Sequence, residues 1–180
     1  TTISQSRFAC ASCCPASAQS HDRCSVVEVM GRHAGHIALN TGIACGASYI
    51  IVPEVEYDVN DVVKKIRAAG ELGKHHFIIL VAEGIGKVDE ISRQIEEATG
   101  IETRGTVLGH VQRGGNPTVR DRVVASRMGY RAVELLENGI GNRVIGIKDS
   151  DIVDYDIQEA LKMKKDFDME LYHIANEISF

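Results

Sequence analysis

Short apolar runs rich in β-branched residues alternate with amphipathic helix patterns from about residue 24 to the end of this sequence. The strand patterns fall at residues 25–30, 48–52, 77–82, 103–108 and 144–147. The helix patterns fall at residues 36–46, 58–73, 91–100, 117–138, 155–163 and 168–178. Parallel strands need crossover helices between them, so the alternation predicts an α/β fold, a doubly wound parallel sheet with three αβα layers.

The composition excludes several function classes. The chain has 180 residues, of which 44% are hydrophobic and 25% charged, as in a globular domain. Its net charge of −5 argues against a nucleic-acid partner. No apolar run approaches the roughly 18 residues of a membrane helix, so we expect no membrane contact. Five cysteines make an odd number and no signal-peptide pattern is visible, which favours the cytoplasm.

Residues 1–15 differ from the rest of the chain. They hold three of the five cysteines and show neither helical nor strand periodicity, so we expect a disordered tail. Cys10, Cys13 and Cys14 look like half of a zinc site. A structural zinc site needs four ligands, and no second cysteine pair follows. We therefore expect no metal site in this chain.

In a doubly wound sheet the ligand binds beyond the carboxyl ends of the strands. The residues that follow the strand patterns are Met30-Gly31-Arg32, Pro53-Glu54, Glu83-Gly84 and the segment 109–115. Neither of the glycine-rich nucleotide patterns, GxGxxG and GxxxxGK(S/T), occurs in the sequence. No nucleophile and base with the spacing of a catalytic pair is visible either.

The segment 109–115 has the composition of an anion site. Its glycines allow close approach of the backbone to a ligand, and His110 and Arg113 supply hydrogen-bond donors. A helix that begins at Pro117, capped by Asn116, would direct free N–H groups to the same place. Arg32 would add a permanent positive charge. The alternative is that Arg113 pairs with a surface carboxylate and that the glycines only turn the chain.

Glu83 directly follows an apolar strand pattern. A carboxylate in that position is costly unless it has partners, and sugar hydroxyls would suit it as hydrogen-bond donors. A glutamate that caps a helix or forms a salt bridge explains the same position. Arg23 and Arg104 lie at strand edges, where arginine is common, and the residues alone assign them no ligand.

Several segments together resemble the bacterial ATP-dependent 6-phosphofructokinases. They are SHDRCSVVEVMGRHAG (residues 20–35), VPE (52–54), VAEG (81–84), ETR (102–104) and TVLGHVQRGG (106–115). The resemblance runs from about residue 16 to the end of the chain. Each segment is short, and the combination makes the resemblance specific.

This resemblance implies a glycolytic kinase. With ATP and Mg²⁺ such an enzyme phosphorylates the 1-hydroxyl of fructose 6-phosphate and gives fructose 1,6-bisphosphate. His110 and Arg113 would bind the 6-phosphate, and Glu83 would accept hydrogen bonds from sugar hydroxyls. Arg32 would lie near the transferred phosphoryl group, as the one catalytic residue of this chain. The remaining substrate-binding residues would be Met30, Gly31, Val111 and Gln112.

The resemblance also implies a homotetramer, in which Arg23 and Arg104 would reach the 6-phosphate bound by a neighbouring subunit. It further implies an effector pocket, of which Lys74, His75 and His76 keep a part. Ser48 and Leu72 depart from that pocket, because an acidic metal contact and a basic residue are usual at those two positions.

The family pattern divides the chain into a substrate-binding domain, residues 16–110 with 162–180, and a segment of the nucleotide domain, residues 111–161. The family's ATP loops and its Thr-Ile-Asp-Asn-Asp stretch, which supplies the general base and a metal ligand, do not occur here. We therefore expect an incomplete fold that is inactive alone. Two alternatives stay open: half of a pyrophosphate-dependent phosphofructokinase, or a non-catalytic sugar-phosphate binder or incomplete gene product.

Overall fold

The computed structural model describes residues 23–179, which form two units. The sheet unit comprises residues 23–114 and 167–179 and contains a four-stranded sheet. The hairpin unit comprises residues 115–166 and contains a two-stranded sheet. Cys10, Cys13 and Cys14 lie outside the described residues, so the expectations for residues 1–15 stay predictions.

All four strands of the sheet unit run parallel. They are β1 (Arg23–Val29), β2 (Tyr49–Ile51), β3 (His76–Ala82) and β4 (Glu102–Val107), in the spatial order β2-β3-β1-β4. In the register of the sheet, Val26 of β1 lies opposite Ile79 of β3 and Gly105 of β4. Residues 77–82 of β3 are all buried, as expected for a strand covered on both faces. The predicted parallel sheet is confirmed.

The helices of residues 23–179 are α1 (His36–Cys45), α2 (Val59–Glu71), α3 (Val88–Thr99), α4 (Val119–Glu137), α5 (Ile157–Ala160) and α6 (Met169–Glu177). The Asp58 side chain accepts a hydrogen bond from the Asn60 N–H and caps α2, as the sequence indicates. Gly100, with φ of 72°, ends α3 in the left-handed conformation that glycine tolerates. None of these helices is long and apolar enough to cross a bilayer.

Helices cover both faces of the four-stranded sheet. Because side chains alternate along a strand, Val27 and Val29 of β1 face the layer formed by α1 and α6. Cys24 and Val26 face the opposite layer, formed by α2 and α3. The resulting three-layer αβα arrangement agrees with the fold class predicted from the sequence.

The connections after β1 and β3 leave the sheet on opposite faces. The chain leaves β1 toward α1, which packs on one face, and it leaves β3 toward α3, which packs on the other. Since β1 and β3 are neighbours, their carboxyl ends form the point where the winding direction changes. A crevice opens at such a point and is the usual ligand site of this architecture.

The hairpin unit departs from the predicted alternation. Strand β5 (Arg143–Lys148) pairs with β6 (Asp151–Asp156) in antiparallel fashion, and neither strand joins the parallel sheet. The helix expected over residues 155–163 is therefore wrong except for α5. Asp149 and Ser150 have φ of 51° and 78°, and this left-handed pair reverses the chain in two residues.

The predicted start of α4 also needs correction. Pro117 is not in the first turn, and Asn116 does not cap the helix. Thr118 is the N-cap: its Oγ1 accepts from the Asp121 N–H, while Asp121 Oδ2 accepts from the Thr118 N–H. This reciprocal capping box satisfies two N–H groups and places the N-cap one residue beyond the proline, so that the helix begins at Val119.

Candidate functional site

Three loops meet at the carboxyl edge of β1, β3 and β4. The Glu83 N–H donates to the Val29 carbonyl at 2.9 Å, and the Leu108 N–H donates to the Glu28 carbonyl at 3.2 Å. These bonds continue the parallel ladder for one residue beyond the strands. They bring together the loop 30–35, the turn 83–87 and the turn 108–113, which are three of the four strand ends singled out in the sequence.

Glu83 binds the backbone of the loop that follows β1. Its Oε2 accepts from the Gly31 N–H at 3.1 Å and from the Arg32 N–H at 2.8 Å. Arg32 has a φ of 51°, a left-handed conformation that costs a non-glycine residue about 1–2 kcal/mol. The two hydrogen bonds that Glu83 accepts stabilise this strained turn and fix the position from which the Arg32 side chain extends.

The charge on Glu83 is stabilised by its surroundings. Hydrogen bonds from the Arg32 and Gly31 backbone, together with the positive charges of Arg32 and Arg113, hold the pKa of Glu83 below its usual value. The charges of Arg32 and Arg113 therefore act on one carboxylate from two separate chain segments.

The turn after β4 presents His110 and Arg113. Residues Gly109–Arg113 form a 3₁₀ helix, which has three residues per turn, so His110 and Arg113 lie on the same side of it. Both side chains are exposed, as is Val111. Gln112 is fully buried instead, and its Oε1 accepts from the Met30 N–H at 2.8 Å.

Glu54, which follows β2, holds the other end of the loop after β1. Both of its carboxylate oxygens accept from the Gly35 N–H, at 2.8 and 3.1 Å. The sequence marked Pro53-Glu54 only as a strand end and gave Gln112 only a role at the ligand. Their bonds to backbone N–H groups come from long-range packing, and no local spacing in the sequence indicates them.

Arg23 and Arg104 lie elsewhere in the sheet unit. Both pair with Glu102: Arg23 Nε lies 2.8 Å from Glu102 Oε2, and Arg104 Nε lies 2.9 Å from Glu102 Oε1. Arg23 begins β1, whose seven residues span about 20 Å to the edge where Glu83 lies. The chain by itself does not bring Arg23 or Arg104 to the Arg32 and Arg113 cluster.

The suggested effector residues lie at the amino edge of β3. Lys74 and His75 precede this strand and His76 begins it. Burial lowers the pKa of Lys74, and its charge contributes to lowering the pKa of Lys65. Ser48 is buried with an Oγ that has no hydrogen-bond partner among the described residues, and Leu72 is exposed.

No metal-ligand set is present in residues 23–179, where no three His, Cys, Asp or Glu side chains are grouped. Cys24 forms no disulfide with any of the described residues. Burial raises the pKa of the Cys24 thiol to about 12, so this cysteine stays protonated and unreactive at neutral pH. The carboxyl edge therefore offers a carboxylate, two arginines, a histidine and loop backbone, a set suited to binding a phosphate and a hydroxylated ligand.

A family model described as phosphofructokinase matches residues 3–136. The chain is 56% identical over 160 residues to the ATP-dependent 6-phosphofructokinase of Clostridium botulinum (strain Loch Maree / Type A3), covering 89% of this chain and 50% of that protein. It is 54% identical over 162 residues to the protein of the same name from Bacillus cytotoxicus, covering 90% and 51%. The chain thus spans about half the length of these curated relatives.

Solved structures give the same fold. The phosphofructokinase of Saccharomyces cerevisiae superposes with a TM-score of 0.82 at 29% identity, covering 98% of this chain and 24% of that one. A pyrophosphate-dependent phosphofructokinase from Marinobacter aquaeolei superposes with a TM-score of 0.74 at 20% identity, covering 92% and 48%. The second similarity supports the fold alone.

Proposed function

Because this chain belongs to the phosphofructokinase family, we propose that it is the substrate-binding half of an ATP-dependent 6-phosphofructokinase. In the whole enzyme the γ-phosphoryl group of ATP is transferred to the 1-hydroxyl of fructose 6-phosphate. The observation that carries the proposal is that Glu83 binds the Gly31 and Arg32 backbone while the charges of Arg32 and Arg113 act on its carboxylate.

Each group of the carboxyl edge has a role in the proposal. His110 and Arg113, on one side of the 3₁₀ turn, bind the 6-phosphate, since a guanidinium makes two parallel hydrogen bonds to phosphate oxygens. Glu83 uses Oε2 for the loop backbone, which leaves Oε1 to accept from a sugar hydroxyl. Arg32 stabilises negative charge on the transferred phosphoryl group. Met30 and Gly31 border the sugar.

The general base, ATP and Mg²⁺ belong to the other half of the enzyme in this proposal. Phosphoryl transfer depends almost entirely on positioning and charge stabilisation, so a chain that lacks these groups binds substrate without turning it over. No three potential ligand side chains are grouped within residues 23–179, and we assign no metal to these residues. The chain alone is therefore proposed to be inactive, and the whole enzyme to act in the cytoplasm.

The hairpin unit is proposed to belong with the nucleotide domain, as part of residues 111–161. Leu135 is the one buried residue of residues 115–166. Large apolar side chains of this unit are exposed instead: Val119, Val123, Tyr130, Val133, Leu136, Ile140, Leu161 and Met163. A two-stranded hairpin, one long helix and the single turn of α5 cannot bury such a surface on their own, so a further polypeptide must cover it. The half of the relatives that this chain does not span has a suitable length.

A homo-oligomer, a tetramer as in the family, is the proposed assembly. Arg23 begins β1, at the edge of the sheet opposite to that of Glu83, and both Arg23 and Arg104 are held by Glu102. Two arginines about one carboxylate retain a net positive charge, which suits a phosphate presented by another subunit. The effector role of Lys74, His75 and His76 is part of the same proposal, weakened by Ser48 and Leu72.

ATP is favoured over pyrophosphate as the donor because the relatives at 54–56% identity are named ATP-dependent. The pyrophosphate-dependent neighbours are only 20% identical. An assay of a longer protein containing this chain, with each donor in turn, decides between the two. A higher rate with pyrophosphate would reverse the assignment.

Isothermal titration calorimetry on the 180-residue chain tests the binding role. Fructose 6-phosphate is expected to bind and fructose, which lacks the phosphate, is expected to give no measurable heat. Binding of both sugars with equal affinity would contradict the phosphate site. Binding of neither, together with a circular dichroism spectrum lacking tertiary signals, would support the alternative of an incomplete gene product.

A further inference from the structure

Gln112 differs from every other polar side chain of the carboxyl edge because it is fully buried. Its neighbours in the turn, His110, Val111 and Arg113, are exposed. The 3₁₀ geometry explains the difference: His110 and Arg113 are three residues apart and share the outer side, whereas Gln112 lies on the inner side. A buried amide of this kind is stable only where its polar atoms are bonded.

The partner of Gln112 is the first residue of the loop after β1. Its Oε1 accepts from the Met30 N–H at 2.8 Å, across a sequence separation of 82 residues. The next two N–H groups of that loop, those of Gly31 and Arg32, are bound by Glu83. The three consecutive N–H groups are therefore held by two side chains, one from the turn after β4 and one from the turn after β3.

We propose that Gln112 is a positioning residue that fixes the distance between the phosphate-binding turn 109–113 and the sugar-binding loop 30–35. This inference rests on the proposed function. Arg113 directly follows Gln112 in the chain, and Arg32 lies two residues after Met30. One hydrogen bond thus joins the turn that bears Arg113 to the loop that bears Arg32, and both arginines act on Glu83.

The physical consequence concerns ligands that touch both segments. Fructose 6-phosphate binds well only when the turn and the loop lie at the right distance from each other, because its phosphate and its sugar are joined covalently. Inorganic phosphate needs only the turn. Loss of the hydrogen bond that the Met30 N–H donates to Gln112 should therefore weaken the binding of the larger ligand more than that of the smaller one.

The substitution Gln112→Met tests this directly, because methionine has a similar length and no strong acceptor. Calorimetry should show that affinity for fructose 6-phosphate falls about tenfold, the size expected when a part-buried N–H loses its partner. A ³¹P NMR titration with inorganic phosphate should show a change of less than about threefold. The matched control, Gln94→Met, alters a half-buried glutamine on α3 whose side chain bonds to Glu90, and it should change neither affinity.

Amide hydrogen exchange separates positioning from a general loss of structure. In Gln112→Met the Met30 amide should exchange at least about tenfold faster, while the Val26 and Val27 amides of β1 keep their protection. The variant Gln112→Glu, which retains an acceptor, should restore slow exchange at Met30. A uniform loss of protection along β1 would contradict the positioning role, as would an equal fall in affinity for both ligands.

Failure of this inference can be told from failure of the proposed function. If the unaltered chain binds no fructose 6-phosphate, the proposed function fails, and the exchange rate at Met30 alone decides whether Gln112 couples the two segments. If the unaltered chain binds the sugar phosphate and Gln112→Met binds it equally well, the proposed function stands and the role of Gln112 is refuted.

Discussion

Oε2 of Glu83 accepts a hydrogen bond from the backbone N–H of Arg32 at 2.8 Å, joining the ends of two neighbouring strands whose helices lie on opposite faces. This bond explains how Arg32 is held in a left-handed backbone conformation at the crevice of the sheet. It also explains why the carboxylate remains charged, because the hydrogen bonds favour the ionised form.

Replacing Glu83 by glutamine should have opposite effects on two ligands. Affinity for fructose 6-phosphate should fall about tenfold, because a neutral amide accepts a sugar hydroxyl less strongly than a carboxylate does. Affinity for inorganic phosphate should rise, because a negative charge near Arg32 and Arg113 has been removed. Calorimetry and ³¹P NMR measure the two affinities. A rise for both ligands would show that Glu83 makes no contact with the sugar.

The pKa values of two carboxyl groups of the crevice, Glu83 and Glu28, should be shifted in opposite directions from the ordinary value of 4.5. Bonds to Gly31 and Arg32 lower the pKa of Glu83, whereas burial and the charge of Glu83 raise the pKa of Glu28. Ionised Glu83 therefore stabilises the fold at pH values above the pKa that it has in the unfolded chain. That contribution is lost as the pH falls through the lower pKa that it has in the folded chain. Protonated Glu28 stabilises the fold at pH values below the pKa that it has in the unfolded chain. That contribution is lost as the pH rises through the higher pKa that it has in the folded chain.

The titration is measured by ¹³C NMR of the side-chain carboxyl carbons in the full chain. The midpoint for Glu83 should lie below 4.5 and that for Glu28 above it. In the variant Glu83→Gln the Glu28 midpoint should move down, because one of the two causes of its raised pKa is gone. An unchanged Glu28 midpoint would mean that the two groups do not interact.

Gly84→Ala should disturb the crevice by steric contact. A Cβ at residue 84 would clash with the backbone oxygen of Arg32, which cannot move without shifting the loop. We expect a loss of about 1–3 kcal/mol in the free energy of unfolding and weaker binding of fructose 6-phosphate. Urea denaturation measures the first and calorimetry the second.

Gly70→Ala is the matched control for that substitution. Gly70 lies within α2, and a Cβ there meets no atom within 4 Å. Alanine should raise the free energy of unfolding by about 0.5–1 kcal/mol and leave binding unchanged. Equal stability for the two variants would show that the loop after β1 does not pass close to Gly84.

The role of Arg23 and Arg104 across an interface is tested by mixing variants. Arg104→Glu and Arg113→Glu should each abolish binding of fructose 6-phosphate if one site uses groups from two subunits. After exchange of subunits in an equal mixture, about a quarter of the sites should be intact and bind again. If binding does not recover in the mixture although mass spectrometry shows that the subunits have exchanged, Arg104 and Arg113 do not form one site across an interface.

The sequence predicted most of the sheet unit because its signals are local. The apolar run 77–82, the capping Asp58 and the terminal Gly100 each determine a short segment, and all three agree with the structure. The hairpin was missed because its turn, Asp149-Ser150, lacks the glycine that usually marks such a turn. Its strands also carry no long alternating pattern.

The site was predicted in its location but not in its internal bonds. Ligands bind beyond the carboxyl ends of parallel strands, and this rule placed Arg32, Glu83 and Arg113 at one edge of the sheet from the strand positions alone. That Gln112 is buried, that Glu54 binds Gly35, and that Glu102 holds Arg23 and Arg104 depends on residues far apart in the sequence. No periodicity within one segment carries that information.

The most direct test of the central claim is the affinity of the chain for fructose 6-phosphate after charge reversal at Arg113, measured by calorimetry. Arg93→Glu is the control, because Arg93 is an exposed arginine of α3 that pairs only loosely with Glu97, at 3.9 Å. Arg113→Glu should abolish binding, while Arg93→Glu should bind as the unaltered chain does. Undiminished binding by Arg113→Glu would contradict the phosphate site at the carboxyl edge of the sheet.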